Sequence, residues 1–112
     1  MAAWGFETTA IHAGRDLARE WGPTNAPLHQ SAAFAHAGAE ELEEVFAGQR
    51  PGFVYSRAGN PTVALFEQRM AALEGGVGAL ASSSGMAAIA TVLFALTRQG
   101  DRIVAGASLF GG

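Results

Sequence analysis

Residues 77–105 read VGALASSSGMAAIATVLFALTRQGDRIVA, and the order of elements within them decides the fold. Residues 77–81 are apolar and mostly small, the pattern of a short buried strand. Ser82-Ser83-Ser84-Gly85 interrupts that run. Residues 86–98 are then almost wholly apolar and close at Gly100, which predicts a helix buried on most of its sides. Ile103, Val104 and Ala105 supply the next strand. Strand, turn, helix and strand in that order make a βαβ unit, which implies a right-handed parallel crossover. A parallel sheet needs more than two strands and is covered on both faces. The sequence up to Gly112 supplies neither, so the expectation is the front part of a larger α/β protein, an incomplete and mostly parallel sheet that stops within a domain.

Upstream of this unit, residues 61–74 carry the strongest helix signals. Asn60 can cap the first turn, Pro61 suits a position whose N–H would be unpaired, and Gly75-Gly76 ends the run. Val63, Phe66, Met70 and Leu73 follow the spacing of a buried stripe. Residues 39–47 predict a shorter helix stopped by Gly48, with Leu42, Val45 and Phe46 on one face. Its glutamates Glu40, Glu41, Glu43 and Glu44 read as a solvated face rather than an acid/base pair. Residues 50–59 are a loop or short strand punctuated by Pro51, Gly52 and Gly59. Residues 1–37 hold scattered aromatics, Pro23, Pro27 and three histidines with no sustained period, which predicts an extended arm rather than a packed element.

Composition narrows the functional classes. The chain has 112 residues, enough for one small domain or part of one and short for an enzyme that must enclose a cofactor. Apolar residues at 49% against charged residues at 15% argue against disorder. All seven basic residues are arginines, so this chain holds no lysine to act as a Schiff-base nucleophile. A net charge of −3 without a basic cluster speaks against nucleic acid and anionic membranes as partners. With no cysteine, a metal site would depend on His12, His29 and His36, whose spacings fit no compact ligand motif. The longest apolar run falls well short of the roughly 20 residues of a membrane span, and no signal peptide opens the chain. A cytoplasmic protein without a metal is the expectation.

Two clusters could carry chemistry. A Ser/Gly turn opening a helix offers unpaired backbone N–H groups, hydroxyls and the positive end of the helix dipole, a combination suited to phosphate. Here it follows the carboxyl end of a strand, where ligands gather in open α/β sheets. The same residues also read as an ordinary cap, with Ser83 or Ser84 holding the first turn and Gly85 making the bend. The second cluster is Tyr55-Ser56-Arg57, ahead of Gly59-Asn60-Pro61-Thr62. An arginine fork beside a phenol can clamp phosphate oxygens; the alternative is a half-buried tyrosine, a solvated arginine and a capping asparagine. Phe110, in a Gly-rich loop after the second strand, either stacks on a planar heterocycle or anchors its loop. The histidines lack a carboxylate or serine at a telling spacing and receive no catalytic role.

Taken together, Thr8-Thr9-Ala10-Ile11-His12-Ala13-Gly14, Tyr55-Ser56-Arg57, Asn60-Pro61-Thr62, Leu73-Glu74-Gly75-Gly76, Ser84-Gly85-Met86-Ala87-Ala88-Ile89 and Ser108-Leu109-Phe110-Gly111-Gly112 resemble the Cys/Met-metabolism family of pyridoxal-phosphate enzymes. That family includes homoserine sulfhydrylases, cystathionine γ-synthases and methionine γ-lyases. The resemblance implies a fold-type I architecture, with residues 1–59 as an N-terminal arm that contacts a second subunit and residues 60–112 as the start of the large cofactor-binding domain. It implies pyridoxal 5'-phosphate as cofactor and a homodimer or homotetramer acting on an amino-acid substrate. The backbone N–H groups of Gly85 and Met86 would hold the cofactor phosphate, while Tyr55 and Arg57 would reach the phosphate in the neighbouring subunit. Phe110 stands where the family usually has a tyrosine over the pyridine ring, keeping the stack and losing the hydroxyl.

By the same resemblance, the Schiff-base lysine, the aspartate at the pyridine nitrogen and the arginine for the substrate carboxylate would all follow Gly112. No catalytic residue is therefore assigned within these 112 residues, which alone would be inactive. The implied reaction is γ-replacement on O-acetylhomoserine or O-succinylhomoserine by a sulfur nucleophile. A γ-lyase shares the same motifs, and a third reading is a short non-enzymatic chain that docks on a full-length subunit.

Overall fold

The computed structural model of the chain describes residues 4–17 and 21–109. Four helices are present among them: α1 (Phe6–His12), α2 (Ala39–Phe46), α3 (Pro61–Glu74) and α4 (Gly85–Leu96). They fall into two compact units, Met1–Ala81 and Ser82–Gly112.

In the first unit, α3 forms as its local signals dictate. The Asn60 side chain accepts the Thr62 N–H at 2.9 Å, Pro61 occupies the first turn, and Gly75 closes the helix at φ 65°. Helix α1 packs on α3. The contact is close because Gly14, at φ 78°, brings its backbone against Leu65 and Gln68, and the Arg69 Nε–H donates to the Ala13 carbonyl at 3.3 Å. Ala13 is buried beneath it. The arm is thus not wholly extended: residues 6–12 are helical and packed, with Trp4 edge-on to His12 at 5.9 Å. Seven residues are about two turns, too few for a 3.6-residue period to stand out from the sequence.

Neither expected strand forms. Among the described residues, β pairing is confined to one antiparallel bridge between Ala33 and Tyr55, made by Phe34 N–H to Val54 O at 3.0 Å and Ser56 N–H to Ala32 O at 2.8 Å. A strand exists only through a neighbour that takes up its backbone groups, and residues 77–81 and 103–105 find none. The Ala81 N–H goes instead to the Glu67 carboxylate on α3, at 2.8 Å.

The expected burial also fails. Val63 and Phe66 of the α3 stripe are exposed, and only Met70 and Leu73 are half-buried. Along α4, Met86, Ile89, Val92, Phe94 and Leu96 are each more than half exposed. The periodicity identified apolar faces, and the described residues leave them exposed. Helix α4 also ends earlier than Gly100: Thr97 turns extended, and both its N–H and its hydroxyl donate to the Leu93 carbonyl, at 2.9 and 2.7 Å. Gly100, at φ 99°, makes the turn after it.

Candidate functional site

The second unit begins with the Ser/Gly turn. Ser84 is extended (φ −157°, ψ 160°) and its hydroxyl accepts the Ala87 N–H at 3.1 Å, while its carbonyl accepts from Ala88. Ser84 is therefore the cap, as the plain reading of the turn had it. Capping consumes one hydroxyl and leaves the rest. The N–H groups of Gly85 and Met86 have no acceptor among the described residues, and Ser82, Ser83, Gly85 and Met86 are all exposed. A Cβ built on Gly85 would meet nothing within 4 Å, so the approach to these donors is open. Two free backbone donors, two hydroxyls and a positive helix end form a donor set with no acidic side chain, which fits a phosphate dianion.

In the first unit, Tyr55 and Arg57 lie on one tight turn. The Tyr55 carbonyl accepts from both Ala58 N–H (2.9 Å) and Gly59 N–H (3.1 Å), so the chain folds back around Ser56 and Arg57. The guanidinium carbon of Arg57 lies 5.3 Å from the centre of the Tyr55 ring, a cation–π contact. Both side chains are exposed, and no ion pair engages Arg57 among the described residues. The pair therefore presents a charged fork and a phenol side by side. The turn is anchored to residues 33–36: the bridge at Ala33, the Phe34–Phe53 ring contact at 5.7 Å, and His36 Nε2 with the Phe53 carbonyl at 3.1 Å.

Phe110 lies outside the described residues. Tyr55 and Arg57 are brought together in one unit, and Gly85 and Met86 in the other. Two glutamates prove more than a solvated face. Glu41 accepts the Ala37 N–H at 2.7 Å at the start of α2 and pairs with Arg50 at 3.0 Å, and Glu44 lies 3.8 Å from the same guanidinium. The Ala37 N–H holds the Glu41 carboxyl below its ordinary value; slight desolvation opposes this, and Arg50 and His36 add to it. The sequence reading also left Glu67 unremarked, because a carboxylate bonded to a backbone N–H 14 residues away leaves no local signal.

Each cluster exposes donors that an anionic, oxygen-rich group could accept: backbone N–H groups and hydroxyls at the start of α4, and a guanidinium beside a phenol at residues 55–57. Residues 7–112 match the Cys/Met metabolism PLP-dependent enzymes, and the chain belongs to that family, whose cofactor is pyridoxal 5'-phosphate. It is 47% identical over 109 residues to an O-acetyl-L-homoserine sulfhydrylase of Corynebacterium glutamicum, covering 97% of this chain and 25% of that protein. It is 45% identical over 107 residues to an L-methionine gamma-lyase of Pseudomonas putida, covering 96% and 27%. Among solved structures, metB from Corynebacterium glutamicum is similar with a TM-score of 0.74 and 39% identity over 88% of this chain and 24% of that one. A Campylobacter jejuni chain described as O-acetylhomoserine (thiol)-lyase, holding N'-pyridoxyl-lysine-5'-monophosphate, gives a TM-score of 0.79 at 31% identity, with the same coverage of 88% and 24%. The chain spans about a quarter of the length of the curated relatives it matches. No described helix is long and apolar enough to cross a membrane.

Proposed function

We propose that the protein carrying this chain replaces the acyl group of O-acetylhomoserine or O-succinylhomoserine with a sulfur nucleophile at the γ-carbon. The observation that carries this reading is the 47% identity, over nearly the whole chain, to a protein named O-acetyl-L-homoserine sulfhydrylase. Bound pyridoxal phosphate supplies the electron sink that lets charge develop at the α- and β-carbons so that the γ-substituent can leave. The residues of this chain bind and orient. Gly85 and Met86 donate their backbone N–H groups to the cofactor phosphate from the N-terminal end of α4. Tyr55 and Arg57 close over the phosphate of a second subunit's site, the guanidinium with paired bonds and the phenol with a single one. Phe110 offers a ring face for stacking but no hydroxyl, so it cannot hold a proton near the leaving group.

In this reading residues 1–59 are the arm and subunit contact, and residues 60–112 open the cofactor domain of a homodimer or homotetramer. The Schiff-base lysine is not among the 112 residues, and these residues alone do not turn over. The 45% identity to an L-methionine gamma-lyase supports a second reading, γ-elimination, on the same residues. Incubating the full-length protein with O-acetylhomoserine or O-succinylhomoserine and sulfide, and separately with methionine, separates the two: homocysteine and acetate or succinate are expected from the first incubation. Ammonia and an α-keto acid from methionine, with no homocysteine, would select γ-elimination, and neither product set would overturn both.

A further inference from the structure

We infer that Asn60 is a positioning residue for Tyr55 and Arg57: its buried carboxamide, acting through Ser56, fixes the turn from which both side chains project. The inference rests on the phosphate role proposed for that pair. It adds a residue on which that role depends.

Asn60 is 7% exposed, the one polar side chain so buried among the described residues. Capping α3 needs only its Oδ1, which accepts from Thr62 N–H, and serine or aspartate caps as well. The amide nitrogen has a separate task. It donates to the His29 carbonyl at 3.0 Å and to the Ser56 hydroxyl at 2.9 Å. Ser56 passes the connection on: its hydroxyl donates to the Ser31 carbonyl and its N–H to the Ala32 carbonyl at 2.8 Å. The His29 N–H is held in turn by the Thr62 hydroxyl at 2.9 Å. One carboxamide thus joins three segments, residues 29–32, the turn at 55–59 and the first turn of α3.

Ser56 lies between the two cofactor-facing residues. Tyr55 and Arg57 are exposed and touch each other, so the path of the backbone at Ser56 sets where the fork and the phenol point. An aspartate at position 60 keeps the cap but has no N–H to donate, and it turns a carboxylate oxygen toward the His29 carbonyl. Burial makes that loss costly, because the partners are left without a donor. The turn then drifts while α3 still forms.

The test uses the full-length apoprotein titrated with pyridoxal phosphate, following the cofactor's absorbance for affinity and circular dichroism for helix content. N60D is expected to weaken cofactor binding about tenfold, equivalent to about 1.4 kcal/mol, with helix content unchanged. S56A, which removes one hydroxyl and touches no ligand, is expected to act in the same direction but less. Added to a Y55F/R57A background, N60D is expected to change affinity little, since a positioning residue has nothing left to position. Wild-type affinity in N60D and S56A alongside weakened R57A would overturn the inference and leave the role of Arg57 standing. A full additional loss in the Y55F/R57A background would reduce Asn60 to general support of the fold and overturn the inference as well. Wild-type affinity in R57A would instead overturn the reading on which it rests. If N60D does not fold, S56A carries the same comparison.

Discussion

At the scale of single residues, two positions depend on chemistry that no other side chain supplies. Gly14 combines a left-handed backbone, φ 78°, with an approach in which a Cβ would come within 2.9 Å of the Gln68 Cβ and 3.2 Å of Leu65 Cδ1. G14A meets both obstacles at once, strain and overlap with α3, and is expected to destabilise the protein by about 1–3 kcal/mol in urea denaturation. At Arg57, in the phosphate role proposed for it, the planar fork matters more than the charge. R57K keeps the charge and loses the paired donors, and the expected outcome is a cofactor dissociation constant raised about tenfold, equivalent to about 1.4 kcal/mol. The capping half of Asn60 was legible as an Asn-Pro pair ahead of an apolar period. Its positioning half was not, because His29 lies 31 residues away and only the folded chain places its carbonyl beside the carboxamide.

At the scale of elements, legibility followed how local each signal is. Helices α2, α3 and α4 begin and end on cues within a few residues, and their observed bounds differ from the expected ones by no more than two residues. The strands at 77–81 and 103–105 were read from composition, yet pairing is a property of two segments and cannot be supplied by one. Helix α2 adds a pH dependence. The Ala37 N–H and Arg50 hold Glu41 below its ordinary value of 4.5. A carboxyl depressed in the folded state contributes stability above its unfolded value and loses it as pH falls through the folded one. Amide protection in α2, after correction for the intrinsic pH dependence of exchange, is therefore expected to fall as pH drops below 4.5, with E41Q less protected at neutral pH and losing less on acidification. An α2 equally protected at neutral and acid pH in the wild type would contradict this role for Glu41.

At the scale of the whole molecule, the exposed apolar face of α4 is the dominant feature. Helix α4 is apolar along its length and exposed, and the chain matches about a quarter of its relatives' length. Exposed apolar area on this scale marks an interaction surface or an aggregation liability. The 112 residues expressed alone are expected to bind a hydrophobic dye and to melt without a sharp transition; a cooperative, dye-free transition would show that these faces need no cover. The order of motifs made the family readable from the sequence, since the Ser/Gly turn and the Tyr-Ser-Arg turn are both short and local. What the sequence withheld was how each motif is braced, which depends on contacts as distant as those joining α3 and its cap to residues 13–14 and His29.

The most direct test of the central claim, that the free N–H groups at the start of α4 hold the cofactor phosphate, is a pyridoxal-phosphate titration of the full-length G85P and G85A apoproteins. Ser84 is already extended, so proline is compatible with the first helical position and removes a single donor there. G85A keeps that donor and adds a Cβ that meets nothing within 4 Å. The expected result is a dissociation constant raised at least tenfold in G85P, a smaller change in G85A, and unchanged helix content in both, in line with the loss of a charge-assisted hydrogen bond of about 1.5–3 kcal/mol. Equal, wild-type affinity in the two variants would contradict the claim.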